Sequence, residues 1–269
     1  MEKTKLICCD IDDTLLAKDK SLPEVNCKAI RKAVLEENIP FAIISGRSAP
    51  SIRDYMNQIG IQGVIPSLGG CLIEDWNGTI IEENNIDSAV ALELYDLAKS
   101  MDCLFLAYYR DDWYIEPNNY YWEEYEYYAV KIKPIVTSIP PVLKNIKPNK
   151  TLGVCQETSK LKQLQEAISQ RYSGVVDCFL SSPNYLEIVP HAVNKGTAID
   201  ALCRHYDIKK DNVMAIGDYY NDVDMFKTAG ISVAVNNAPE DIKAMTTYVT
   251  SADCSHGAVA EAIERFCVR

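Results

Sequence analysis

The most constraining feature of this sequence is an apolar run that stops on a carboxylate. Leu6-Ile7-Cys8-Cys9 is followed at once by Asp10, and Asp12 and Asp13 come close behind. A short apolar run bounded by polar residues reads as a buried strand. Asp10 then sits at the carboxyl end of a strand, where open α/β sheets bind ligands. Alternation along extended backbone puts the Asp10 and Asp12 side chains on one side. Two carboxylates held together resist joint ionisation unless a cation or a proton intervenes, and a hard divalent cation is one answer. The plainer alternative is a set of loop acids forming an Asx turn or a helix cap.

The rest of the chain supplies the context. Val25, Ala29, Ile30, Ala33 and Val34 recur at helical spacing within 23–37. A strand over 41–44, a helix over 49–59 and a strand over 63–66 follow. Strand alternating with helix argues for a parallel sheet covered on both faces. Asn77-Gly78 between apolar runs signals a hairpin. The composition then changes. Residues 84–187 read as an inserted α+β domain, with helices over 88–100 and 159–171 and strands over 103–109, 113–115, 175–180 and 185–189. The stretch 132–148, rich in proline and lysine, reads as irregular. Alternation returns with a helix over 195–206, a strand over 212–216, a helix over 222–229, a strand over 231–235, a short helix after Pro239, a strand near Tyr248 and a helix over 258–266. The expected fold is α/β: a Rossmann-like doubly wound parallel sheet core, residues 1–83 and 188–269, interrupted by the insert.

Charge narrows the partners. The net charge of −11 disfavours a nucleic-acid backbone or an anionic membrane surface. It does not forbid a small anionic substrate, because a local cation can override the global field. No apolar run is long enough to span a bilayer, and the N-terminus does not read as a secretory signal. The ten cysteines are spread without a CxxC pair. They read as reduced residues of a cytoplasmic protein rather than as zinc ligands.

Three more points carry polar residues at the end of an apolar run or the start of a helix. Ser45 ends the run 41–44, Lys195 opens a helix, and Asp218 ends the run 213–216 within Gly217-Asp218-Tyr219-Tyr220-Asn221-Asp222. In a parallel sheet the ends bearing Asp10, Ser45 and Asp218 share one edge. Singly, each is an ordinary turn, cap or surface residue. The ordered set DIDDT, ISGR, NKG and GDYYND, with an insert between the second and third, resembles the haloacid dehalogenase superfamily. The insert position and the stretch 230–238 resemble its Cof-type sugar-phosphatase branch, and the resemblance covers essentially the whole chain.

That resemblance implies a phosphatase acting on a small phosphorylated metabolite. Asp10 would be the nucleophile, forming an aspartyl-phosphate, and Asp12 the general acid and then base. Mg²⁺ would be held by Asp10, Asp218 and the Asp12 carbonyl. Ser45, Gly46, Lys195 and Asn221 would hold phosphoryl oxygens, while Thr14, Asp222 and Asn237 support the site. Asp13 stands where many members have glycine, and Asn236 where a glycine usually precedes Asn237. None of the three histidines, His191, His205 and His256, falls in a catalytic pair. The inserted domain would close over the crevice and select substrate. Its stretch 108–128 holds half of the sixteen tyrosines, which either pack a small sheet or stack on a sugar or flat ring. The rival readings are a phosphomutase with the same intermediate and a non-catalytic sugar-phosphate-binding regulator. A monomer or a homodimer fits either.

Overall fold

The computed structural model describes residues 4–117 and 132–267. The chain opens with β1 (Leu6–Cys9), a turn over Ile11–Leu15 and α1 (Glu24–Arg31), which a wider turn prolongs to Glu36. Then come β2 (Phe41–Ile43), α2 (Ala49–Ile59), β3 (Ile65–Ser67), β4 (Leu72–Glu74) and β5 (Ile80–Glu83). The middle of the chain forms α3 (Ser88–Ser100), β6 (Leu104–Tyr109), β7 (Asp112–Ile115), β8 (Ile135–Val136), α4 (Ile139–Leu143), β9 (Lys150–Val154), α5 (Thr158–Arg171), β10 (Val176–Ser182) and β11 (Tyr185–Pro190). The last part supplies α6 (Lys195–Tyr206), β12 (Val213–Gly217), α7 (Val223–Thr228), β13 (Ile231–Ala234), α8 (Glu240–Lys243), β14 (Tyr248–Val249) and α9 (Ala258–Phe266). Two compact units result: Met1–Gly46, Ile52–Glu82 and Asn194–Arg269 form the first, Arg47–Ser51 and Glu83–Val193 the second.

The first unit is built on a five-stranded sheet in the order β14-β13-β12-β1-β2, with every pairing parallel. Its inner strands are buried on both faces, which is why they read as unbroken apolar runs. Leu6, Cys8, Ala42 and Ala215 point to one face and pack with Ala198, Ile199 and Leu202 of α6 and with Met225 and Phe226 of α7. Asn26 ties α1 to its surroundings: its amide donates to Leu15 O at 3.2 Å and its oxygen accepts from Ala260 N of α9 at 3.0 Å.

The strand expected over 63–66 does not extend this parallel sheet. As β3 it pairs antiparallel with β4 in a separate three-stranded sheet. At the hairpin, Gly78 N donates to Asp75 O at 3.1 Å and Asp75 N to Thr79 O at 2.9 Å. Gly78 alone of the turn takes a positive φ, 85°, so the turn is a three-residue one closed by glycine.

The second unit is a six-stranded sheet in the order β10-β11-β9-β6-β7-β8, antiparallel except for the β7–β8 pair. Phe105, Ala107, Leu186 and Ile188 pack with Leu94, Leu143, Leu161 and Leu164 of its three helices. The expectation of irregular structure over 132–148 is corrected by β8 and α4. Pro140 and Pro141 fall in the first turn of α4, where a missing N–H breaks no helical bond. β9, a central strand, had no counterpart in the sequence reading.

Candidate active site

The site begins with strand register. Cys9 lies level with Ile216 on one side and Ile43 on the other. Asp10 N donates to Ile216 O at 2.9 Å, and Ile44 N donates to Cys9 O at 2.9 Å. Asp10, Ser45 and Asp218 therefore leave the sheet at the same carboxyl edge, one residue past the register or two. They are only 5%, 3% and 9% exposed. Ser45 O accepts from Gly69 N at 2.8 Å, which fixes the second of these loops.

Lys195 arrives from the start of α6. Asn194 caps that helix: its side-chain oxygen accepts from Gly196 N and Thr197 N, and the Thr197 hydroxyl accepts from Asn194 N. Gly196 lets α6 lie close on α7, since a Cβ there would sit 2.6 Å from Asp224 O. A cation at a helix N-terminus opposes the helix dipole. Two carboxylates outweigh that here. Lys195 Nζ lies 2.5 Å from Asp10 Oδ1 and 2.6 Å from Asp222 Oδ1, with all three side chains buried. Burial acts to strip the Lys195 proton, but Asp10 and Asp222 more than offset it and hold the ammonium above its usual range.

Asp222 is the hub of the cluster. Besides Lys195, its Oδ2 accepts from Asp218 N at 2.9 Å and from Tyr219 N at 3.2 Å. This folds the carboxylate back onto the strand end. A Cβ on Gly217 would lie 2.5 Å from Asp222 Oδ2, so only glycine fits there. Asp218 Oδ1 accepts from the buried Thr14 hydroxyl at 2.8 Å.

The cluster carries more negative than positive charge. Carboxylate oxygens of Asp10, Asp218 and Asp222 lie within 4.8 Å of one another, and Lys195 is the ammonium among them. Burial first, then the neighbouring Asp222, pushes Asp218 up to about 7. Burial likewise drives Asp10 well above the carboxylate range, with Lys195 pulling against it and Asp222 and Asp218 adding to it. Fully ionised, the three carboxylates exceed the one ammonium by two negative charges, a charge that protons offset in the metal-free protein, and the donors are all hard oxygens. That donor set fits a divalent cation of the Mg²⁺ kind.

The first loop completes the arrangement. Asp13 adopts a left-handed conformation, φ 56°, which asparagine and aspartate tolerate better than most residues. This explains how the chain manages without glycine there. Asn237 Nδ2 donates to Asp13 O at 2.8 Å, and Asn237 Oδ1 accepts from Cys254 N at 2.9 Å. Lys20, absent from the sequence reading, pairs with Asp12 at 3.2 Å and Asp13 at 3.3 Å. An exposed lysine in a loop has no spacing that would have singled it out. Gly46 and Asn221 are exposed, Asn221 within the turn Tyr220–Asp222.

The other candidates lie elsewhere. His191 pairs with Asp177 at 3.0 Å, His256 with Asp253 at 2.6 Å, and the His205 ring meets Tyr206 edge-on. Among the aromatics of 108–128, Tyr108 and Trp113 are buried and stacked at 6.1 Å. Tyr120, Tyr121, Trp122, Tyr125, Tyr127 and Tyr128 lie outside the described residues.

A strand-end aspartate paired to a buried lysine, between two further aspartates, is where comparison with known proteins becomes informative. Residues 7–263 match the family model of the haloacid dehalogenase-like hydrolases. The chain belongs to that family. As a haloacid dehalogenase-like hydrolase it is 26% identical to a putative phosphatase of Haemophilus influenzae, over 97% of this chain and 98% of that one. It is 26% identical to the 5-amino-6-(5-phospho-D-ribitylamino)uracil phosphatase YwtE of Bacillus subtilis, over 94% and 95%. A crystal structure of a haloacid dehalogenase-like hydrolase from Bacteroides thetaiotaomicron superposes with a TM-score of 0.89 at 29% identity, over 98% of this chain and 99% of that one. The α/β sheet core and the Cof-type affinity implied by the ordered motifs both stand, and this haloacid dehalogenase-like hydrolase is a phosphatase.

Proposed function

We propose that the protein hydrolyses phosphate monoesters of small metabolites, sugar and polyol phosphates foremost, through a covalent phosphoryl group on Asp10. The observation that carries this reading is the buried ammonium of Lys195, 2.5 Å from Asp10 Oδ1 and shared with Asp222. A carboxylate so placed is oriented, and an anionic phosphate can approach it.

Asp10 attacks phosphorus and becomes an aspartyl-phosphate. Asp12 gives its proton to the leaving alcohol, then takes one from the water that hydrolyses the intermediate. Lys195, the Ser45 hydroxyl, the Gly46 amide and Asn221 hold the phosphoryl oxygens. Mg²⁺, when bound by Asp10, Asp218 and the Asp12 carbonyl with Asp222 behind them, supplies the positive charge that lets an anionic nucleophile meet an anionic phosphate. Thr14 orients Asp218, and Asn237 holds the first loop through Asp13 O. The inserted domain selects among leaving groups, and the enzyme works in the cytoplasm. The relative named for a phosphoribityl compound supports a polyol phosphate as one substrate.

The test is phosphate release from a panel of hexose, pentose and polyol phosphates, pyridoxal phosphate, flavin mononucleotide and nucleotides, with and without Mg²⁺. Release that needs Mg²⁺, and falls roughly 10⁴-fold or more in Asp10→Asn, is the expected result. Release that survives the substitution would refute the covalent route.

A further inference from the structure

The second unit carries a thiol pair with no part in this chemistry. Cys103 immediately precedes β6 and Cys155 immediately follows β9. These strands are antiparallel, with Leu104 opposite Val154, so the two cysteines are the next opposed pair. Cys103 N donates to Ala98 O at 2.9 Å and Cys155 N to Asn184 O at 3.2 Å, so they exchange no amide bonds with each other. At such non-hydrogen-bonded positions opposed side chains come closest, with Cα atoms about 4.5 Å apart. That lies in the range disulfides span, about 4.4–6.8 Å.

Access marks one member of the pair. Of the ten cysteines, eight are buried, and only Cys155 and Cys178 are partly exposed. Cys178 Sγ faces Ser169 Oγ at 3.5 Å and Gln165 O at 3.7 Å. Cys155 faces a second thiol, that of Cys103, whose titration it perturbs. Lys160, close to Cys103, joins the corners on either side, pairing with Asp102 at 3.5 Å and with Glu157 at 3.3 Å.

We propose that Cys103 and Cys155 are an oxidative modification site, closing to a disulfide with a small peroxide and reopening with a thiol reductant. Cys155 is the sulfur that a solvent oxidant reaches. Its thiolate attacks hydrogen peroxide, the O–O bond breaks, and Cys155 becomes a sulfenic acid while the other oxygen leaves as water. The Cys103 sulfur then attacks the Cys155 sulfur. The S–O bond breaks, and the hydroxyl departs as water with the Cys103 proton. Two thiols are oxidised and one peroxide is reduced to two waters. Burial first, then the neighbouring Cys155, holds Cys103 up to about 12, which suits a partner that stays a thiol until the second step. The bond would tie the end of α3 to the start of α5.

The experiment treats the full chain with a small excess of hydrogen peroxide, alkylates the remaining thiols and maps the digest by mass spectrometry. The expected result is the loss of two thiols, a mass lower by two hydrogens, one peptide joining Cys103 to Cys155, and full recovery with dithiothreitol. Cys178→Ser should lose the same two thiols, and Cys155→Ser none. Cys155 driven to sulfinic acid beside a free Cys103 would overturn the proposal. So would a bond from Cys155 to any other cysteine, or no loss of thiols in the wild type.

Discussion

Both units bury charged side chains, and they do so on different terms. In the second unit Lys150, 5% exposed, meets Glu187 at 2.9 Å and lies 4.6 Å from the centre of the Tyr108 ring. Beside it, fully buried Asn149 donates to Glu83, Asn84 O and Asn85, and accepts from Arg110 N. Each charge there has its counterpart. In the first unit three carboxylates gather at one place, and Lys195 pairs with two of them, Asp10 and Asp222. Matched polarity costs little and fixes a fold. Unmatched polarity is tolerated where a bound proton or a ligand restores the balance. The contrast separates a structural ion pair from a site.

The largest effect expected of this contrast follows from Lys195→Met. It leaves Asp10 and Asp222 buried without their cation, and should cost about 3–5 kcal/mol in urea unfolding of the metal-free protein and abolish phosphate release. Next comes pH. Asp218, raised from 3.8 to about 7, keeps a proton in the folded metal-free protein that the unfolded chain has already lost. Its contribution is therefore whole below pH 3.8 and declines as pH rises through about 7. Asp10 shifts in the same direction. Thermal unfolding should show Tm falling across that window without metal, and Mg²⁺ should flatten the fall. A metal-free Tm that rises from pH 4 to pH 7 would break the comparison.

Thr14→Val is a smaller perturbation. It removes the hydroxyl that orients Asp218 and should weaken Mg²⁺ binding about 10–100-fold, read by calorimetry. The smallest effect is expected of Lys150→Met combined with Glu187→Leu. Replacing a balanced buried pair by apolar residues of similar volume is often near neutral, so stability should change by less than about 1 kcal/mol. A loss as large as that of Lys195→Met would erase the distinction between the two clusters.

How much could be read beforehand follows the same division. The strand ends bearing Asp10, Ser45 and Asp218 were legible because strands buried on both faces are apolar throughout and stop abruptly. The helices over 49–59, 88–100, 195–206 and 258–266 matched to the residue, and in two of them Asp87 and Asn194 mark the start. β9 was missed because its sequence, KTLGV, opens on a lysine and contains a glycine. That lysine is buried only because Glu187 meets it from β11, and Gly153 is small because Leu164 presses on it. Both reasons lie in tertiary partners far along the chain. Lys20 was missed for the opposite reason: it is an exposed residue whose pairing with Asp12 and Asp13 depends on the path of one loop. Asp222 stood out in the sequence only as part of the run 217–222. Its position at the centre of the cluster needed the backbone turn that aims it at Lys195.

Asp10 and Lys195 touch across 185 residues of sequence. β1 also waits for β12, its neighbour in the sheet, which begins at Val213. During synthesis the N-terminal third emerges with its acids in place but without the ammonium, the other two carboxylates or half of the strand's hydrogen bonds. A nascent chain, or one cut short before Lys195, carries Asp10 without the ammonium that pairs with it. On the proposed mechanism, the non-local closure that brings Lys195 to Asp10 and β12 to β1 is also the step that completes the site.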